Sequence, residues 1–156
     1  MFLFTLTICI QAHSQTSDWS SLRKYIGAYS CDAKFYENPI VKIELKRILR
    51  KDYSAYQDFC RLSGCGEIGF KHGLMYGDVS QLHVGGYSSL FFVDIEKRRM
   101  FLFWMPGRVG ELKYKIYGDK PIYPSVLNLI SQEMNVAWGH VATFKVQGDS
   151  ISIVSK

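Results

Sequence analysis

Two apolar runs, LFFVDI at 90–95 and MFLFWM at 100–105, flank a charged turn, Glu96 to Arg99. Each has strand length and is rich in aromatic residues, with Val93 and Ile95 adding β-branched side chains to the first. A strand with one wet face alternates apolar and polar side chains, and these runs do not. The hairpin they form must therefore be central, with both faces at least partly covered.

The rest of the chain is read outward from that hairpin. Ser17-Asp18 can cap a short helix over Trp19 to Ile26, which Gly27 ends. Asn38-Pro39 opens a second helix with a capping side chain and a first-turn proline. Ile40, Ile43, Leu45 and Leu49 give it an apolar stripe. Asp52 is placed to cap a third, in which Tyr53, Tyr56, Phe59 and Cys60 share a side. Strands are expected at Glu67 to Phe70, Leu74 to Ser80, Ser88 to Ile95, Met100 to Met105 and Glu111 to Tyr117. Pro121 and Pro124 introduce a helix carrying Val126, Leu127, Ile130 and Met134. Val141 to Val146 and Ser150 to Val154 form a last hairpin about Gly148-Asp149. The expected class is α+β: an antiparallel β-sheet with helices packed on it, a helical N-terminal half followed by β-hairpins.

Residues 1–14, MFLFTLTICIQAHS, contain no Asp, Glu, Lys or Arg. Phe2 to Ile10 is an apolar run of signal-peptide length, too short to span a bilayer. Ala12-His13-Ser14 puts small residues at the −3 and −1 positions of a cleavage site before Gln15. The positive n-region is missing and reads as truncated. Leu6-Thr7-Ile8-Cys9 is a poor lipobox, because Ile8 stands where a small residue belongs. The expectation is a signal peptide at 1–14, a single α+β domain at 15–156, a periplasmic or secreted location and no stable membrane anchor.

With 47% hydrophobic residues, 10 Tyr and 10 Phe, the 156-residue chain can bury one real core and is not disordered. All charged residues follow the expected cleavage point, so the mature chain keeps the net charge of +5. That balance favours an acidic partner, and export argues against nucleic acid. The clusters Lys46-Arg47 with Arg50-Lys51, and Lys97-Arg98-Arg99, read as a solvated helix face and a solvated turn. Cys31, Cys60 and Cys65 remain after cleavage. An oxidising compartment permits one bridge. Cys60 and Cys65 flank a short loop and approach easily; Cys31 with either is the alternative. No H-x-x-x-H or C-x-x-C spacing supports a metal site, and no cofactor is expected.

The chemistry-bearing stretch is Ser80-Gln81-Leu82-His83-Val84-Gly85-Gly86, followed by Tyr87-Ser88. Gly85 and Gly86 allow a tight bend that projects the tip, Gln81 to Val84, beyond the sheet. Ser88 lacks the second glycine of a nucleophile elbow and precedes no helix. The stretch resembles the protruding C-K-P-H-D-C-G loop of the Ivy family, inhibitors of vertebrate lysozyme. It matches in length, in His83 and in Gly86, and in both a strand, a charged turn and a second apolar strand follow. The helical first half, with Asn38-Pro39 and Leu45-Lys46, is also similar to that family.

The resemblance implies a histidine that enters a lysozyme cleft and bonds its catalytic carboxylates. An imidazolium offers two donors to such paired acids. The departures are specific. Ser80 and Gly85 replace the loop cysteines, so the stiffening disulfide is absent and binding orders more of the loop. Leu82 and Val84 replace the loop proline and acid. Animal lysozymes are basic, as this chain is, so electrostatic steering toward that target is lost.

The expected function is a non-enzymatic periplasmic inhibitor that blocks a peptidoglycan-cleaving enzyme by inserting this loop into its active site. The setting is immunity against an interbacterial toxin of the type VI kind, or else lysozyme inhibition. The expected partner is a protein with an acidic cleft, met by Gln81, Leu82, His83, Val84, Gly85 and Tyr87. Trp104 and Trp138 are expected in the core. The alternatives are an exported hydrolase using His83 or His140 with Ser88 or a cysteine, and an envelope-associated structural domain with a basic binding face.

Overall fold

A computed structural model describes residues 18–81, 88–106 and 112–156. The expected signal segment 1–14 lies outside the described residues. An antiparallel six-stranded sheet forms the middle of the fold. Its central path is β3 (Leu74–Gln81), β4 (Ser88–Asp94) and β5 (Arg99–Met105). β1 (Ser63–Cys65) and β2 (Gly69–Lys71) share the outer side of β3, and β6 (Lys115–Tyr117) closes the β5 side. A separate hairpin joins β7 (Ala142–Gln147) to β8 (Ser150–Ser155).

The unbroken apolar runs have the cause their pattern implied. Phe91, Val93, Met100, Leu102 and Trp104 face one way, into a core with α1 (Pro39–Leu49) and α2 (Tyr53–Arg61). Leu90, Phe92, Phe101, Phe103 and Met105 face the other way, into a core with α3 (Pro124–Trp138) and the β7–β8 hairpin. Successive strand residues point to opposite sides, so both sides must be apolar when both are covered. Every residue from Leu90 to Val93 and from Met100 to Met105 is buried.

Local signals explain most elements. The Asn38 side chain accepts from the Ile40 amide at 2.9 Å, and Pro39 is the first residue of α1. Val126, Leu127, Ile130 and Met134 are buried on α3. His72 (φ 53°) and Gly73 (φ 78°) make the two-residue β2–β3 turn, with positive φ at both central positions as a type I′ turn requires. Gly77 has no side chain because the Phe91 ring lies against it; a Cβ there would meet the ring at 2.6 Å.

The structure differs from the sequence reading at several points. The N-terminal half is not simply helical: Trp19–Tyr25 is a 3-10 helix, and strands already start at Ser63. Only Trp19 and Leu22 of that first segment are buried, three residues apart, a spacing that stacks directly at three residues per turn. Asp52 does not cap α2. A 3-10 turn, Arg50–Asp52, already runs into that helix, and the Asp52 carboxylate instead accepts from Lys115 Nζ and Tyr117 OH, each at 2.9 Å. β6 is shorter than Glu111 to Tyr117.

The disulfide is also corrected. Cys31 is bonded to Cys65, with Cα atoms 5.8 Å apart, and Cys60 is a free thiol. The Cys60–Cys65 pairing fails because Ser63–Cys65 is a strand, not a loop. Pairing with Val79–Gln81 extends it away from α2 and beside the 27–31 segment, which bonds to residues 66–68.

Candidate interaction site

Four strand ends meet at one end of the sheet. β3 is paired to β4 up to Ser80↔Ser88, and Ser88 stands opposite Met105 of β5. β1 adds Ser63↔Gln81 on the outer side. Of the expected contact residues, Gln81 is the last residue of β3 and half-buried. Leu82, His83, Val84, Gly85 and Tyr87 lie outside the described residues, as does Gly86.

The packing beneath this edge is dense and aromatic. Trp104 is buried between Tyr56 and Phe59, with ring centroids 5.3 and 5.8 Å away. Trp104 is therefore core, as its position in an apolar strand implied. Trp138 is half-buried and packs against the other core. Ser89 is fully buried and donates to the Phe103 carbonyl at 2.9 Å, while Tyr56 OH meets the Ser89 hydroxyl at 3.0 Å. These bonds join α2, β4 and β5 through groups that have lost water, where a satisfied network holds one geometry. The Cys31–Cys65 bond fixes β1 to the segment after the first 3-10 helix.

Beside these strand ends, Leu62 is 62% exposed between α2 and β1. Arg61 is paired with Asp58 at 2.6 Å, both exposed. Sequence reading missed Leu62. Its signal was an apolar residue following the last turn of α2, which reads as core until the strand turns away.

The remaining candidates do not converge. Cys60 belongs to the α1/α2 core, whereas His140 follows α3 and is exposed on the side of the second core. Burial pushes the Cys60 thiol up to about 12, away from the thiolate a nucleophile needs. Cys60 lines a cleft of about 510 Å³ with Tyr36, Tyr53 and Tyr56. A second concavity, about 610 Å³, lies between the end of α1 and β6 and is lined by Arg47, Arg50, Lys51, Asp52, Tyr117 and Asp119. There Asp119 accepts two bonds from Arg47, at 2.7 and 3.0 Å, and this guanidinium holds the Asp119 carboxyl below its usual range. Among the described residues no group of three or more His, Cys, Asp or Glu is placed to hold a metal ion.

No family model, no curated protein and no solved structure matches this chain. No described helix is long and apolar enough to cross a membrane, and the intramolecular disulfide is compatible with an oxidising compartment.

Proposed function

We propose that the chain is an exported periplasmic binding protein, without catalysis of its own, that blocks a peptidoglycan-cleaving enzyme through the segment 81–87. The observation that carries this reading is the β3–β4 register. The two strands are paired without a break up to Ser80↔Ser88. The residues linking them therefore start and finish on a firmly packed sheet edge, and the Ivy-like His83 lies among them. Binding elements offered from a rigid scaffold lose less freedom on docking. The separation of Cys60 from His140 and the protonated state of Cys60 weigh against the hydrolase alternative.

The target is an enzyme with a paired-carboxylate cleft, and the basic charge favours an acidic toxin of a rival bacterium over a basic animal lysozyme. The test is calorimetric titration against a panel of muramidases and lytic transglycosylases, with turbidity assays of wall lysis. His83→Ala is expected to keep the fold and to weaken binding to the inhibited enzyme by at least about 1 kcal/mol. Unchanged affinity removes His83 from the contact. No inhibition across the panel sinks the reading. Export is checked by N-terminal sequencing of the periplasmic protein, expected to begin near Gln15; an intact Met1 would overturn that part.

A further inference from the structure

Helix α1 buries Val41, Leu45 and Leu49 and turns its opposite face to solvent. Two neighbouring rows occupy that face, since residues four apart stack along a helix. One runs Lys42, Lys46 and on to Arg50 just past the helix end; the other is Ile43 and Arg47. Arg47 is held by Glu44 and Asp119. Among the described residues Lys42, Lys46 and Arg50 have no ion-pair partner; Lys46 lies over the Tyr53 ring, 5.6 Å from its centroid. Between these cations Ile43 is 63% exposed, although the apolar pattern of α1 assigns it to the buried stripe.

The basic run at 46–51 first reads as a solvated helix face. Cations near a helix C-terminus do favour the carbonyl end of the dipole, which accounts for Lys46 and Arg47. That argument covers neither Lys42, one residue into the second turn, nor the exposed isoleucine. Arg50 adds a further peculiarity. It sits at φ 51°, ψ −116°, backbone space that glycine enters freely and other residues enter only with strain, yet the position carries a long cation.

We infer that this face of α1 docks reversibly on an anionic phospholipid surface. Lys42 borders the Cys60 cleft and Arg50 the concavity beside β6, while Lys46 and Ile43 stand exposed on the helix face between them. A duplex of nucleic acid offers phosphates to the cations but nothing apolar to Ile43. A bilayer offers both, because an apolar side chain amid basic ones enters the boundary between headgroups and acyl chains. The attachment is electrostatic with one shallow apolar contact, so it is weak and salt-sensitive and is no anchor. The inference goes beyond the inhibitor reading and stands without it.

The test is co-sedimentation of the full chain with vesicles of about one-third phosphatidylglycerol in phosphatidylcholine, against pure phosphatidylcholine vesicles. The apolar segment at 2–10 would bind both vesicle types alike, so the difference between them is the readout. The wild type is expected to prefer the anionic vesicles and to lose that preference in roughly 1 M salt. Lys42→Glu with Lys46→Glu should weaken anionic-vesicle binding at least about tenfold, with the circular dichroism spectrum retained and only a small loss in melting temperature. Ile43→Ser should weaken it about threefold or more at constant charge. Equal binding to both vesicle types, a charge-reversed variant that binds as the wild type does, or a preference for duplex DNA or polyglutamate over the anionic vesicles, would each overturn the inference.

Discussion

Phe91 stands where three layers of chain touch. Its ring stacks on Phe35 at 4.7 Å, meets the edge of Tyr36 at 5.9 Å and covers the bare Cα of Gly77. Truncation to alanine would leave a void walled by β3 and the Phe35 turn. We expect Phe91→Ala to cost about 3–5 kcal/mol in urea unfolding; a loss under about 1 kcal/mol would show that the site collapses. Asp52 supplies a pH signature. Its bonds to Lys115 and Tyr117 lower its carboxyl from the ordinary 3.8. The folded state therefore binds fewer protons than the unfolded one near that pH. The stabilisation is whole above 3.8 and drains as pH falls through the lower folded value. Asp52→Asn should flatten the acid limb of the melting-temperature profile, and an unaltered limb would count against this. Cys60 gives a third expectation: iodoacetamide should alkylate the native thiol far more slowly than the unfolded one, measured by mass spectrometry. Asn38 and Trp104 were legible in the sequence because a cap and a strand position are local. The role of Asp52 was not, because its partners lie 63 and 65 residues away.

Among the elements, the β7–β8 hairpin depends most on side chains from elsewhere. A two-stranded ribbon has two open edges. On β7, the Asn135 amide of α3 donates to the Phe144 carbonyl at 2.7 Å and accepts from its N–H at 2.9 Å, as a neighbouring strand would. On β8, the Tyr114 hydroxyl donates to the Ile151 carbonyl and accepts from its amide at 3.1 Å. Both edges are thus occupied, at the third residue of β7 and the second of β8. Asn135→Ala should cost about 1–3 kcal/mol and speed hydrogen exchange at the Phe144 amide; unchanged protection there would mean that the α3 contact is not what holds the edge. The hairpins themselves were readable because their turn residues and apolar runs sit within a few positions of each other. β1 was not. Ser63-Gly64-Cys65 has no apolar alternation, and it is a strand only because β3 offers it an edge. That hidden strand is also why the cysteine pairing could not be read from spacing.

For the molecule as a whole, the Cys31–Cys65 bond closes a sequence separation of 34 residues that includes both α1 and α2. Chain-entropy reasoning gives it about 3–4 kcal/mol. Cys31→Ser with Cys65→Ser should lower the urea midpoint accordingly and leave the α3 side of the sheet unaffected in the native spectrum. The α+β class and the two-sided central hairpin were legible because alternation, or its lack, reports directly on burial. That two paired strands bracket the stretch holding His83 was legible, although residues 82–87 lie outside the described residues; the strand ends on either side, with Leu62 beside them, needed the tertiary fold. One consequence of the two-sided sheet concerns assembly. β4 and β5 act as a party wall between two half-cores, so a chain that has gathered only one of them shows the other's Phe92, Phe101 and Phe103, or Phe91, Leu102 and Trp104, bare to water. Such a half-built species is sticky, and refolding yield should fall steeply with protein concentration well before the finished protein shows any tendency to clump.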